Sequence, residues 1–255
     1  MIIDCNAHLG YWPFRELSNS QPAEFVGLMD RCGVTQACVA AFQGILYSDL
    51  QPANDWLIKA TTEQRERLVP HAVINPNFPE WESDLQRAAE AGCVGVRLYP
   101  NYHCYEVGDE CVGELMAAAD EYGVTVSVYV RMYDERLHHA RCMVPPVELS
   151  GLPKVAEQFP DVGVLVCNVK RAALSGIAEG FRMLANLYVE LSHVEGTGGV
   201  EKLAAEIGVE SIVFGTHAPY QYADAALLKM RESALSEQQQ AAVLYENAER
   251  WMGRR

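Results

Sequence analysis

Short runs of apolar and β-branched residues punctuate the chain at 2–8, 35–41, 69–74, 94–99, 124–130, 162–167, 186–191 and 211–215. Their length and composition predict buried strands. Between most of them the apolar positions switch to helical spacing. Phe25, Leu28, Met29 and Cys32 fall at i, i+3, i+4 and i+7; Leu115, Ala118, Ala119 and Tyr122 repeat the pattern, as do Val200, Leu203, Ala204 and Ile207. Each set turns one apolar face toward a sheet. Gly33, Gly123 and Gly208 follow the three sets directly. A glycine there is expected to end the helix in the left-handed conformation and feed the next strand.

Strands that alternate with helices in this way predict a parallel sheet, and eight of them favour closure over an open, doubly wound sheet. No G-x-G-x-x-G follows the first strand, so the dinucleotide-binding alternative lacks its phosphate loop. A further helix is expected over 236–253, with Ser236 and Gln239 at capping-box spacing. No linker or low-complexity tract interrupts the 255 residues. The expected architecture is therefore α/β: a single closed (β/α)₈ TIM barrel over residues 1–255 with an extra C-terminal helix. The long irregular stretches 9–21, 99–110 and 131–147 all follow strands, where barrel enzymes build their sites.

Charge narrows the partners. The formal net charge of −14 argues against nucleic acid and against an anionic membrane surface, both of which need a basic face. No apolar run reaches transmembrane length. The chain enters its first strand at Met1-Ile2-Ile3-Asp4 without a basic leader or cleavage site. Its eight cysteines include no C-x-x-C pair, and several sit in apolar runs, as reduced, buried thiols do. A cytoplasmic compartment is expected. The sequence leaves a homo-oligomeric assembly open.

Candidate chemistry lies where the predicted strands end. Strand 1 delivers Asn6 and His8; strand 4 delivers Arg97, Tyr99 and, just beyond, His103; strand 5 delivers Tyr129 and Arg131, with Arg136 further on; strand 6 delivers Asn168; strand 7 leads to Ser192, His193 and Glu195; strand 8 leads to His217. Polar residues gather here after apolar strand bodies, at the rim that barrel enzymes use. Trp12, Phe14, Tyr99, Tyr102 and Tyr105 are candidates for an aromatic lining or for loop packing. His71 lies inside strand 3 and reads as a packed core residue, and His138 and His139 read as solvated loop residues.

Ile2-Ile3-Asp4-Cys5-Asn6-Ala7-His8-Leu9-Gly10, Gly95-Val96-Arg97-Leu98-Tyr99-Pro100, Val213-Phe214-Gly215-Thr216-His217-Ala218-Pro219 and Glu246-Asn247-Ala248-Glu249-Arg250 together resemble the amidohydrolase superfamily. The resemblance is to its second large branch, which includes lactonases and non-oxidative decarboxylases. It implies a metal held by a His-x-His on strand 1, one histidine each on strands 5 and 6, and an aspartate on strand 8 that activates water. In this chain Asn6 stands at the first histidine, with His8 retained as the second. Tyr129 and Asn168 stand at the histidines of strands 5 and 6, and His217 stands at the aspartate.

A catalytic zinc wants about three protein ligands, and of these positions only His8 and His217 offer imidazoles. The reading is accordingly a hydrolase or lyase of lactonase or decarboxylase type, acting on a small anionic organic acid with no cofactor expected. His8, His217 and His103 are its candidate acid–base groups. Asn6, Arg97, Tyr129, Arg131, Arg136, Asn168 and Glu195 are its candidate substrate contacts, the arginines through bidentate grip of a carboxylate, with bracing of the barrel rim an equal alternative for Arg97. Two alternatives stay open. One is a metal-dependent hydrolase with an altered ligand set, holding one divalent ion such as zinc through His8 and His217. The other is a non-catalytic barrel that binds a small molecule.

Overall fold

A computed structural model of the chain describes residues 1–133 and 139–253. All eight predicted strands are present, in the order β1 (Ile3–Leu9), β2 (Gln36–Ala41), β3 (Leu68–Val73), β4 (Gly95–Leu98), β5 (Thr125–Tyr129), β6 (Val164–Cys167), β7 (Leu187–Glu190) and β8 (Ile212–Val213). Each pairs in parallel with the next. The ring closes because the chain beyond β8 returns to β1. Cys5 N donates to Phe214 O at 2.9 Å, His217 N to Asn6 O at 2.7 Å, and His8 N to Ala218 O at 2.8 Å.

Side-chain alternation divides the core in two. One face of each strand packs against the surrounding helices, through residues such as Ala37, Val39, Val96, Val126, Val128 and Val166. The other fills the barrel, through Cys38, Ala40, Val69, Tyr99, Tyr129, Leu165 and Cys167. The helix Pro22–Cys32 ends on Gly33 at φ 70°, and Glu110–Tyr122 on Gly123 at φ 64°, both left-handed as expected. Gly208 differs. Its φ of 88° is positive but its ψ is 143°, so the chain leaves Gly199–Ile207 extended and makes a short 3-10 turn before β8. The stretch expected to be irregular after β4 opens with a helical turn, Pro100–His103.

The C-terminal helix runs as Glu237–Ala241, a π-helical segment Ala242–Glu246, and Asn247–Trp251. Ser236 and Gln239 form the expected capping box. This helix plugs the N-terminal end of the barrel. Trp251 stacks on His71 with ring centroids 5.4 Å apart and donates from Nε1 to Gly163 O at 3.2 Å. His71 is thereby a packed residue, as its place within a strand predicts.

The strand with most bearing on function is β1. Its register against β2 shifts between Asp4 and Ala7, the mark of a β-bulge. Before the shift Ile3 and Cys5 fill the barrel interior; after it Ala7 and Leu9 pack outward. The bulge thus re-aims Asn6 and His8 into the barrel mouth. A bulge leaves a backbone group without its ladder partner, and here Asn6 N is taken by Asp4 Oδ1 at 3.0 Å. The same carboxylate accepts from Thr216 N at 3.0 Å and Thr216 Oγ1 at 2.5 Å. Asp4 is the clamp that joins β1 to the segment after β8.

Candidate active site

Five of the residues singled out from the sequence meet at the C-terminal mouth of the barrel. Asn6, His8, Tyr129, Asn168 and His217 are each 0% exposed. Asn6 Nδ2 donates to Asn168 Oδ1 at 2.7 Å, and the Tyr129 hydroxyl donates to Asn6 Oδ1 at 2.7 Å. Asn168 Nδ2 donates to Arg131 O at 2.7 Å and lies 3.4 Å from His217 Nδ1. The rings of His8 and His217 meet edge to face with centroids 5.3 Å apart.

Asn168 and His217 hold left-handed backbone at φ 57° and 58°. That conformation is uncommon outside glycine, and side chains held in it cluster at working sites. Both residues stand where a strand turns into its loop, and the tight turn points their side chains across the barrel axis.

Hydrogen-bond partners assign the tautomers. His8 Nε2 faces the Tyr99 hydroxyl at 2.9 Å and Arg97 Nη1 at 3.4 Å. A guanidinium only donates, so Nε2 accepts and the proton sits on Nδ1. His217 Nε2 lies 3.0 Å from Met132 O, so it carries the proton and Nδ1 keeps its lone pair. Burial, followed by the Arg97 guanidinium and His217, holds His8 well below the usual imidazole range. Burial, followed by His193, does the same for His217. Both rings are neutral near pH 7, and so are the phenols of Tyr99 and Tyr129, which burial pushes up. The centre is a neutral cluster of imidazoles, amides and phenols.

Other candidates have different surroundings. Arg97 is 0% exposed within the barrel and donates from Nη1 to Ala7 O and from Nη2 to Cys38 O, each at 2.6 Å. Its guanidinium ties β1 and β2 to β4, the geometry of the bracing role. His103 also points away from the centre. Its Nε2 lies 3.2 Å from Gly44 O, joining the loops after β2 and β4, and burial lowers its pKa to about 4. Glu195 is exposed on the loop after β7. Arg136 lies outside the described residues.

Arg131 is half-buried and lines a cavity of about 380 Å³ with Asn101, Tyr102, Met132, Tyr133, Met143 and Pro145. The cavity adjoins the centre, because the carbonyls of Arg131 and Met132 are the ones that hold Asn168 and His217.

Four participants escaped the sequence reading. Glu190 is fully buried behind Asn168, accepting from Asn168 N at 2.6 Å and from Ser192 N at 2.6 Å. Its signal was a lone carboxylate inside the apolar run Tyr188-Val189-Glu190-Leu191. Gly215 belongs with it: a Cβ there would come within 2.4 Å of Glu190 Oε2, so only glycine lets β8 approach this carboxylate. Phe42 stacks on His8 at 4.7 Å, and Tyr220 lies 5.0 Å from the His217 ring. Phe42 directly follows β2 and Tyr220 lies in the loop after β8, and neither belongs to a motif.

A closed parallel barrel with converging polar residues at the C-terminal strand ends defines a class of α/β-barrel enzymes. This chain belongs to the amidohydrolase family, whose model matches residues 3–254. Membership of that family marks it as an enzyme. Among solved structures it is similar to 2,6-dihydroxybenzoate decarboxylase from Rhizobium, with 14% identity, a TM-score of 0.77 and coverage of 99% of this chain and 98% of that one. It is similar to dihydroxybenzoic acid decarboxylase from Polaromonas sp. JS666, solved with manganese and the inhibitor 2-nitroresorcinol, with 17% identity, a TM-score of 0.76 and coverage of 99% and 96%. It is also similar to 5-carboxyvanillate decarboxylase from Novosphingobium aromaticivorans, solved with manganese and 4-hydroxy-3-methoxy-5-nitrobenzoic acid, with 17% identity, a TM-score of 0.73 and coverage of 90% and 79%. A search of curated protein sequences returns no match. No helix among the described residues is long and apolar enough to cross a membrane.

The manganese in these neighbours corrects the expectation of a site with no cofactor, and turns attention to the divalent-ion alternative. No group of three or more His, Cys, Asp or Glu side chains among the described residues converges to hold such an ion. His8 Nε2 is engaged by Tyr99, and the amides of Asn6 and Asn168 bond to one another. Two imidazoles fall short of a catalytic ligand set, so the side chains as arranged do not fit the metal.

Proposed function

We propose that this enzyme acts on a small organic acid with an apolar, ring-sized body, at the mouth of the barrel. Arg131 would take the acid group, with the reacting end turned toward His217 and His8. The observation that carries the reading is the cavity of about 380 Å³ that Arg131 lines together with Tyr102, Met132, Tyr133, Met143 and Pro145. A largely apolar wall that includes an arginine among its described residues suits an amphiphilic anion. The small aromatic acids and analogues named with the solved neighbours have that character.

In the carbon–carbon lyase form of the reaction, carbon dioxide leaves and the ring carbon takes up a proton. In the hydrolytic form, water adds across the broken bond. The lone pair of His217 Nδ1, 3.4 Å from Asn168 Nδ2, would accept a proton from water or from a substrate hydroxyl. The phenols and amides around it would orient the substrate by hydrogen bonds.

The test is a panel of hydroxybenzoic acids and aryl lactones incubated with the purified chain, with and without added manganese, followed by carbon dioxide release and product chromatography. Turnover should appear with an aromatic acid or lactone, and Arg131→Gln should raise KM by about tenfold or more through loss of the charge-assisted pair. Binding without product would overturn the catalytic reading. An unchanged KM in Arg131→Gln would overturn the placement of the acid group.

A further inference from the structure

We propose that the segment 10–20 is a lid over the barrel mouth, hinged at Gly10 and latched by Arg15 on Tyr220. The inference goes beyond the proposed function and does not depend on which substrate is used.

The first ground is closure. His8 and His217 are both 0% exposed, although they sit at the end of the barrel where ligands enter. The closing layer is a short stack of rings. Phe42 covers His8 at 4.7 Å and Tyr220 covers His217 at 5.0 Å. Trp12 seals the seam between them, 5.7 Å from Phe42 and 5.7 Å from Tyr220, and is itself only 2% exposed. No molecule reaches either imidazole by this route until Trp12 moves.

The second ground is how the segment is attached. Its neck is pinned by Gly10 N donating to Ser20 O at 2.7 Å, the close approach of ends that defines a compact surface loop. Gly10 holds φ 90°, and a Cβ there would lie 2.3 Å from Gln43 Oε1, so the neck is a position that requires glycine. Asn19 turns the other side of the neck at φ 60°. Between these points lies no helix or strand.

The latch is Arg15. Its Nη2 donates to Tyr220 O at 2.6 Å, and its guanidinium lies 4.6 Å from the centre of the Tyr220 ring. A cleft of about 250 Å³, lined by Arg15, Leu17, Leu28, Pro219, Tyr222 and Asp224, separates the segment from the helix that follows Tyr222. The lid rests on the Trp12 plug and the Arg15 latch, with Leu17 packed beneath it, Arg31 Nη2 donating to Asn19 Oδ1 at 3.2 Å, and space beside it. Breaking a hydrogen bond and a surface cation–π contact together shifts an opening equilibrium by about tenfold.

The test is carbethoxylation by diethyl pyrocarbonate at pH 7, mapped residue by residue by mass spectrometry on the full chain. Four histidines report separately. His8 and His217 lie under the lid. His71 is equally buried but sits at the opposite end of the barrel against Trp251. His139 is exposed and checks the reagent. In Arg15→Ala, modification of His8 and His217 should accelerate about tenfold while His71 keeps its parent rate. Arg15→Lys, which keeps the charge over the ring, should fall between. Unchanged rates at His8 and His217 would overturn the lid. An equal acceleration at His71 would also overturn it, since that signals loosening of the whole barrel. The assay uses no substrate, so its failure is distinct from failure of the proposed function.

Discussion

Asn6 and Asn168 clasp each other across the barrel mouth, amide nitrogen to amide oxygen at 2.7 Å. The contact joins β1 to β6 through the centre, where the related enzyme pattern calls for two metal-binding histidines. It uses up donors and acceptors that a ligand would otherwise meet, and it makes the site depend on the exact side chains present.

Asn168 contributes in two separable ways, through its amide and through its tolerance of φ 57°. Asn168→Ala removes the bonds to Asn6 and to Arg131 O and places a Cβ-bearing residue with no local polar compensation in left-handed backbone. Asn168→Gly loses the same bonds without the backbone penalty. Chemical denaturation should show both variants destabilised by about 1–3 kcal/mol for the orphaned polar groups. The alanine variant should be the worse by about a further 1 kcal/mol. A glycine variant no more stable than the alanine variant would refute the backbone part.

Asp4 sets a pH dependence with a definite sign. Burial pushes its pKa from 3.8 up to about 7, so the folded chain holds a proton there that the unfolded chain has released. The stability this proton contributes is fully present below about pH 4 and is lost as pH rises toward 7. Asp4→Asn mimics the protonated acid, with an oxygen to accept from Asn6 N and Thr216 N and an amide to face Thr216 Oγ1. Between pH 4 and 7 the stability of the variant relative to the parent should climb by more than about 1 kcal/mol. A parallel pair of stability profiles would show that Asp4 does not titrate in this window.

The ligand set can be rebuilt. Asn168→His together with His217→Asp would place, with His8, two imidazoles and one carboxylate around the centre, the number a catalytic divalent ion asks of the protein. Manganese affinity, measured by electron paramagnetic resonance on the refolded and native chains, should rise about tenfold or more over the parent. Equal affinity in parent and variant would mean that the side chains at 168 and 217 are not what limits metal binding here.

Much of the molecule was legible in the sequence because the signals are local. The eight strands and the capping box at Ser236 follow from apolar periodicity and terminal residues, which act over a few positions. The convergence of Asn6, Tyr129, Asn168 and His217 was readable because closure of a parallel barrel brings the C-terminal ends of its strands to one axis. The tertiary structure alone decided the rest. A register shift of one residue in β1 aims Asn6 and His8 inward. Arg97 was readable as a strand-end cation, but the carbonyls of Ala7 and Cys38 that capture it come from neighbouring strands. His103 was readable as a loop imidazole, but its partner Gly44 belongs to another loop. Glu190 became a support for Asn168 because Gly215 leaves room for it. Trp12, Phe42 and Tyr220 close the mouth by meeting from three separate loops. Periodicity fixes which face of an element is buried; which polar atom finds which partner depends on distances between segments far apart in the chain, and those exist only once the barrel has closed.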